Sequence, residues 1–145
     1  MKLWILDTDT LSLFQRAHPL ISQRVNAIPK EQLAVTIITF EEQMYGRLNR
    51  IRRANSQELS VLAYMQLHET LEDFKTINVL DFTQEAANCY SQLLRQKIRI
   101  GTQDLRIASI VISHNGILVT RNQQDFSRIP DLQFEDWTVA PKDNT

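Results

Sequence analysis

Short apolar runs alternate with longer segments of helical periodicity along most of this chain. Four runs have the composition of strands, and they cover residues 3–6, 33–38, 77–80 and 117–119. Between them, apolar residues recur at three- and four-residue steps, most clearly over 56–74 and 83–97, which is typical of amphipathic helices. Strands that alternate with helices predict a three-layer α/β/α sandwich with a central, mostly parallel sheet.

The same patterns predict where the elements begin and end. A helix is expected to start at Thr39, directly after the second strand, and another follows Gly101 and is ended by Gly116. Residues 134–137 are a candidate edge strand. No linker or repeat divides the chain, so residues 1–140 are predicted to form a single domain, followed by a polar C-terminal tail over 141–145.

Composition limits the classes of function. The chain has 145 residues, 43% of them apolar, and a formal net charge of −1, so any affinity for a polyanion must come from local groups of Lys and Arg. Two such groups are present: Arg47, Arg50, Arg52 and Arg53, and, beside the loop that precedes Asp104, Arg95, Lys97 and Arg99. Each group is equally well explained as a solvated helix face.

The N-terminal segment argues against export. Lys2 is its single basic residue, and the apolar run after it is too short for a signal peptide. No stretch of the sequence approaches the length that spans a membrane. We therefore expect a cytoplasmic protein without a membrane partner.

Acidic residues follow several of the predicted strands, at positions where a turn or helix begins. They are Asp7, Glu42, Asp104 and Asp125. The carboxyl ends of parallel strands meet at one edge of a sheet, so carboxylates that are distant in sequence converge there. Mg²⁺ prefers oxygen ligands of this kind, and a metal held by carboxylates activates water for phosphodiester hydrolysis. The pattern favours a nuclease-like metal site.

Each acid also has a structural explanation. Asp7 and Asp9 are suited to turn and helix-cap roles, and for Asp9 this is the better explanation. Glu42 stands three residues after Thr39, as in a capping box. Asp104 complements the helix dipole in a first turn. The shared edge favours the metal site, because clustered carboxylates repel one another unless a cation lies between them.

At this point the sequence resembles a known family, the PIN-domain ribonucleases, and among them the VapC-type toxins of bacterial toxin–antitoxin pairs. The resemblance spans nearly the whole chain. The segments that carry it are WILDTDTLS, VTIITFEEQMYG and IGTQDLRIASIVISHNGILVTRNQQDFSRIPDLQFEDW.

The resemblance implies a set of site residues. The first strand of the family ends in Asp-x-Asn or Asp-x-Asp, which falls on Asp7 and Asp9. The acid four residues before the glycine of Tyr-Gly falls on Glu42, and the acid that opens the helix after Ile-Gly falls on Asp104. A final acid or amide belongs after Leu-Val-Thr. Two residues compete for that position, and they are Asn122 and Asp125.

The resemblance also implies Mg²⁺ or Mn²⁺ as cofactor, an RNA substrate, 5′-phosphate products, a homodimer and a cognate antitoxin. On this interpretation Asp7 and Asp104 are the principal metal ligands, and Glu42 and Asp125 support them. Three further residues are candidates for orienting a phosphate or a ligand carboxylate, and they are Thr8, Thr120 and Asn122. Apolar positions of the first helix and of residues 56–74 are expected to leave a groove for the antitoxin.

Two other functions compete. Asp7-Thr8-Asp9-Thr10 also resembles the start of haloacid-dehalogenase-type phosphatases, but the later paired acidic motif of those enzymes is absent from the sequence. A PIN-like module that binds RNA or protein without cleavage remains the non-enzymatic alternative. A dinucleotide-binding module is disfavoured, since no Gly-x-Gly-x-x-Gly loop follows a strand.

Overall fold

A computed structural model describes residues 2–140 of the chain. Met1 and the tail predicted over 141–145 lie outside the described residues. Five strands form one sheet in the order β3-β2-β1-β4-β5, and every neighbouring pair is parallel. The strands are β1 (Trp4–Leu6), β2 (Leu33–Thr36), β3 (Asn78–Leu80), β4 (Ile117–Val119) and β5 (Gln133–Glu135).

Seven α-helices connect and flank the strands within residues 2–140. They are α1 (Thr8–Gln15), α2 (Pro19–Asn26), α3 (Ile37–Arg53), α4 (Gln57–Lys75), α5 (Gln84–Arg95), α6 (Thr102–Ser113) and α7 (Gln123–Phe126). A single 3₁₀ turn over Lys30–Gln32 leads into β2. The predicted α/β/α class is therefore confirmed, and the sheet is wholly parallel in the part of the chain that is described.

Alternating residues of the central strands build the two halves of the core. Ile5, Ala34 and Leu118 face one side of the sheet, where they pack with apolar residues of α5 and α6. Leu6 and Val119 face the other side and pack with α1 and α2. Successive side chains of a strand point to opposite faces, so the three-residue strands serve both layers at once.

The start of α3 differs from the prediction. The strand β2 ends at Thr36, and the Thr36 hydroxyl accepts a hydrogen bond from the Thr39 N–H at 3.2 Å, which makes Thr36 the N-cap. The helix therefore begins at Ile37, two residues before the predicted start. Glu42 does not belong to a capping box with Thr39, and its structural explanation no longer applies.

Other boundaries depend on local signals that periodicity does not detect. The helix α2 was not predicted, although Pro19 at its first position and the His18 side chain, which accepts from the Ile21 N–H, are helix-start signals. The helix α6 ends before Gly116, at a turn in which Asn115 has a positive φ of 51°. Close packing favours glycine at position 116, because a Cβ there would lie 2.7 Å from Ile5 Cδ1 and 3.2 Å from the Leu3 carbonyl oxygen.

None of the helices within residues 2–140 combines the length and the apolar character needed to cross a membrane.

Candidate metal centre and acidic crevice

The order of the strands places a crevice beside the end of β1. The chain leaves β1 in one direction toward β2 and β3, and β4 and β5 lie on the other side, so the strand order reverses between β1 and β4. Ligands of open parallel sheets bind at such a point, outside the carboxyl ends of the strands. A crevice of about 520 Å³ lies here, called the acidic crevice below, and it is lined by Asp7, Thr8, Asp9, Glu42, Asp104, Arg121 and Asn122.

Asp7 is fixed at the junction of β1 and α1. Its N–H donates to the Val119 carbonyl at 3.0 Å, which continues the parallel ladder between β1 and β4. Its carboxylate caps α1 by accepting from the Thr10 N–H at 2.9 Å. The cap role considered from the sequence is therefore real, and the same side chain also lines the crevice. Burial raises the pKa of Asp7, and hydrogen bonds from Thr120 and Thr10 oppose that rise.

Glu42 reaches the crevice from the second turn of α3 and is oriented by α1. The Thr8 hydroxyl lies 2.6 Å from Glu42 Oε1 and donates to it, and the Thr39 hydroxyl lies 3.0 Å from that of Thr8. A short hydrogen bond to a carboxylate is among the stronger polar contacts in proteins. Thr8, predicted as a possible supporting residue, thus connects Glu42 to the end of β1.

Asp104 enters from the first turn of α6, whose N-terminus lies at the same edge of the sheet. The half-buried carboxyl has a pKa raised to about 6, first because of burial and then because of the charges of Glu42, Asp7 and Asp125. Four carboxyl groups from four segments of the chain are therefore near enough to influence one another. The predicted convergence of these acids is what the structure contains.

Asn122 and Asp125 occupy different positions relative to the crevice. Asn122 lines it, and its N–H donates to the Thr120 hydroxyl at 3.0 Å. Asp125 lies one turn further along α7, where its carboxylate accepts from Asn122 Nδ2 at 3.0 Å. Asn122 therefore lines the crevice, and Asp125 contacts the side chain of Asn122 without lining the crevice itself. The charge of Asp125 still acts on Asp104. The chemical role of each remains a prediction.

Asp9 and Arg121 form an ion pair at the rim. Arg121 Nε and Nη2 donate to the two oxygens of Asp9 at 2.7 and 2.9 Å. Sequence analysis considered Asp9 mainly as a turn residue and did not single out Arg121. The available signal was the position of Arg121 two residues after the end of β4, between Thr120 and Asn122.

The donor set suits a hard divalent cation. The carboxylates of the crevice offer oxygen ligands, and a cation between them would relieve their mutual repulsion. Among residues 2–140, no group of three or more His, Cys, Asp or Glu side chains is arranged so that it could hold a metal ion by itself. A site for Mg²⁺ would therefore use one or two direct carboxylate ligands, and the ion would keep several of its waters.

A family model for the PIN domain matches residues 4–132, which is most of the chain. The chain belongs to the PIN domain family. Asp7, Glu42, Asp104 and Asn122 all lie within the matched residues. The resemblance inferred from the sequence is confirmed at the level of the family.

Two proteins named as nucleases are similar to this chain over nearly its whole length. Ribonuclease VapC1 of Haemophilus influenzae is 31% identical to this PIN domain, in an alignment that covers 94% of this chain and 98% of that protein. The tRNA(fMet)-specific endonuclease VapC of Salmonella typhimurium is 29% identical, with 92% and 97% coverage. The chain spans nearly the full length of both relatives.

Solved structures resemble the fold over the same length. The complex VapBC2 of Rickettsia felis bound to a promoter DNA fragment contains a chain with a TM-score of 0.71 and 26% identity, covering 93% of this chain and 98% of that one. A toxin–antitoxin complex from Klebsiella pneumoniae gives a TM-score of 0.66 and 26% identity, with 88% and 93% coverage. Both structures contain a PIN-like chain together with a partner.

A second concave surface lies between α1, α2, α3 and α4 and shares no lining residue with the crevice. This helical groove has a volume of about 1040 Å³. Its walls include Phe14, Gln15, Ile28, Arg47, Asp73 and Phe74. The predicted groove along α1 and α4 is therefore present in the structure.

Proposed function

We propose that this PIN domain is a Mg²⁺-dependent endoribonuclease and the toxin of a toxin–antitoxin pair. One observation carries the proposal: Asp7, Glu42 and Asp104, from three separate segments, line one crevice at the carboxyl edge of the sheet. Their negative charges repel one another, since Glu42 and Asp7 both raise the pKa of Asp104. The names of the relatives, ribonuclease and endonuclease, agree with a phosphodiesterase site.

In this proposal Asp7 and Asp104 hold the metal, with Mn²⁺ as an alternative to Mg²⁺. A divalent cation at such a site supplies charge neutralisation at the phosphate and lowers the pKa of water. Glu42, fixed by the Thr8 hydroxyl, orients a water and accepts its proton. Asn122, held by Thr120 and Asp125, presents its amide to the crevice and contributes to orienting the phosphate.

The helical groove is the proposed site of the antitoxin. Its wall combines half-buried aromatic and aliphatic side chains, Phe14, Ile28 and Phe74, with charged groups of both signs. A partner segment that lays an apolar face into a groove uses surfaces of this composition. The toxin–antitoxin complex of Klebsiella pneumoniae, which contains a chain of similar fold, supports a protein partner.

A homodimer also remains part of the proposal. Apolar side chains on the outer surface of α3 and α4 are more than half exposed, and they are Tyr45, Val61, Leu62, Tyr64 and Met65. Large exposed apolar side chains that are concentrated on two neighbouring helices are typical of a protein interface. The mass of the purified protein by light scattering, compared between wild type and Met65→Asp, tests whether this surface joins two copies.

Induced expression in a bacterial host tests the function. Wild type is compared with Asp7→Asn and Asp104→Asn, and with Asp73→Asn as a matched carboxylate change in the helical groove. We expect growth arrest and discrete new RNA ends with wild type and Asp73→Asn, and neither effect with the two crevice variants. Equal growth arrest by all four proteins without new RNA ends, with the variants folded, would indicate a binding module without cleavage.

A further inference from the structure

Arg121 is the one cation among the residues that line the acidic crevice. The four carboxylates around it give the crevice a strong negative charge, so a positive side chain at this rim affects how an anion enters. Half of the Arg121 side chain is exposed, and so is half of the Asp9 side chain that holds it. The guanidinium is therefore accessible to a ligand.

The contact with Asp9 uses only one edge of the guanidinium. Nε and one N–H of Nη2 donate to the Asp9 carboxylate. Arginine has five N–H donors, so the Nη1–Nη2 edge keeps three of them. Among residues 2–140, the two bonds to Asp9 are the hydrogen bonds that the Arg121 side chain makes. The remaining edge has the planar geometry that matches two oxygens of a phosphate.

The backbone beneath Arg121 is also fixed. Thr120 is fully buried at the end of β4, and its hydroxyl accepts from the Asn122 N–H. The Arg121 carbonyl accepts from the Gln123 N–H at 2.9 Å. Asp9 lies in the first turn of α1, next to Thr8 and Asp7. Asp9 thus holds the guanidinium, on a backbone that is itself fixed, before any ligand binds, which lowers the entropic cost of binding.

We infer that Arg121 binds a phosphate of the RNA at the rim of the acidic crevice and that Asp9 is the residue that positions it. This inference rests on the proposed ribonuclease function and extends it to a residue that the acidic pattern does not include. The phosphate would bind the Nη1–Nη2 edge while Asp9 keeps the Nε–Nη2 edge. An alternative is an exposed ion pair with a small effect on folding, since such pairs are worth little.

Cleavage kinetics of the purified full chain test the inference. Bulk transfer RNA in Mg²⁺ is the substrate for the cleavage assay, and a fluorescent single-stranded RNA is the probe for binding by anisotropy. The variants are Arg121→Ala, Arg121→Lys, Asp9→Asn and the double variant Asp9→Asn with Arg121→Ala. Lys75→Ala is the control, because it removes an exposed cation paired with Glu72 outside the crevice. Thermal midpoints are measured for every protein.

We expect Arg121→Ala to lower kcat/KM about ten- to a hundredfold, the range of a lost hydrogen bond to a charged group. Arg121→Lys should recover part of this loss, because lysine keeps the positive charge. It should not recover all of it, because lysine lacks the paired planar N–H donors of the guanidinium. Asp9→Asn should cost severalfold, and the double variant should be no worse than Arg121→Ala, since Asp9 acts through Arg121. The anisotropy should show weaker RNA binding by Arg121→Ala, and Lys75→Ala should match wild type throughout.

Wild-type cleavage rates in Arg121→Ala, with Asp104→Asn inactive, would overturn the inference and leave the ribonuclease proposal intact. A lower thermal midpoint with unchanged kcat/KM and RNA affinity would also overturn it, because the pair would then be structural. Absence of cleavage by folded wild type would overturn the proposed function and this inference with it.

Discussion

The acidic crevice and the helical groove differ in how their charged groups are satisfied. The groove has about twice the volume, 1040 against 520 Å³, but its polar side chains bond to one another. Gln15 donates to Asp73 at 3.1 Å, and Arg47 donates to Thr70 at 2.9 Å. In the crevice, Asp104 has carboxylates for neighbours, and its pKa rises to about 6. The repelling carboxylates of the acidic crevice, and not its volume, therefore distinguish it as the candidate chemical site.

The largest expected effect is a loss of RNA cleavage when the acidic crevice is changed, with no loss when the helical groove is changed. Asp7→Asn keeps an N-cap residue at the start of α1, and Asp104→Asn keeps the size of the side chain. Each should lower RNA cleavage at least about a hundredfold, the scale of a lost group that stabilises charge in the transition state. Asp73→Asn in the groove should retain cleavage. Gel analysis of RNA incubated with each purified protein measures this, and loss of activity in Asp73→Asn would break the comparison.

A substitution in the helical groove should have the opposite result, with weaker antitoxin binding and unchanged cleavage. Phe14→Ala removes a half-buried aromatic side chain from the groove wall. We expect the affinity for the cognate antitoxin to fall about tenfold or more, since truncated aromatic anchors typically cost at least 1–2 kcal/mol of binding energy. Cleavage by the variant alone should stay at the wild-type rate. Titration calorimetry with the antitoxin gives the affinity, and unchanged binding would exclude this part of the groove as the docking site.

The pH dependence of the free energy of unfolding tests the carboxylate repulsion in the acidic crevice of the metal-free protein. The pKa of Asp104 is about 6 in the folded state and 3.8 as a free side chain, so the folded state binds the proton more tightly. This contribution is complete below about pH 4 and is lost as the pH rises through 6. We expect a loss of about 1–2 kcal/mol in the free energy of unfolding, a value reduced for the partial exposure of the carboxyl.

Urea denaturation at several pH values in EDTA measures this effect. Asp104→Asn should show little of the decline and should be more stable than wild type near pH 7. Added Mg²⁺ should stabilise wild type at that pH and have less effect on the variant. A stability of wild type that is independent of pH between 4 and 7 would contradict the account of repelling carboxylates.

The smallest effect concerns the orientation of Glu42. Thr8→Val removes the hydroxyl that donates to Glu42 at 2.6 Å and keeps the branched shape of the side chain. Cleavage should fall about three- to tenfold, which corresponds to roughly 1 kcal/mol. Thr8→Ser keeps the hydroxyl and should retain most of the activity. Equal rates for the two variants would show that the orientation of Glu42 does not depend on this contact.

Much of the fold follows from hydrophobic period alone. The strand over Ile117–Val119 was predicted residue for residue, and α4 and α5 lie within a few residues of their predicted bounds. The start of α3 was wrong because capping at Thr36 is decided by one side-chain bond. The helix α2 was missed because Pro19 and the His18 cap mark its start and periodicity does not, and α7 was missed because four residues give little periodic signal.

The candidate site was predictable where it depends on strand ends. A parallel sheet brings Asp7 and the loop after β4 to one edge, and this requires no knowledge of side-chain contacts. The bond from Thr8 to Glu42 and the ion pair between Asp9 and Arg121 join residues that lie 34 and 112 positions apart. Contacts of that kind depend on rotamers and on the packing of α1 against α3, which periodicity in a single sequence does not encode.

The most direct test of the central claim is cleavage of purified total RNA in vitro, with the new ends mapped. Wild type, Asp7→Asn and Asp104→Asn are each incubated with Mg²⁺ or with EDTA. The account predicts discrete 5′-phosphate ends with wild type in Mg²⁺ alone, and none in the other five reactions. Equal cleavage in EDTA, or by either variant, would show that the acidic crevice is not the site of the reaction.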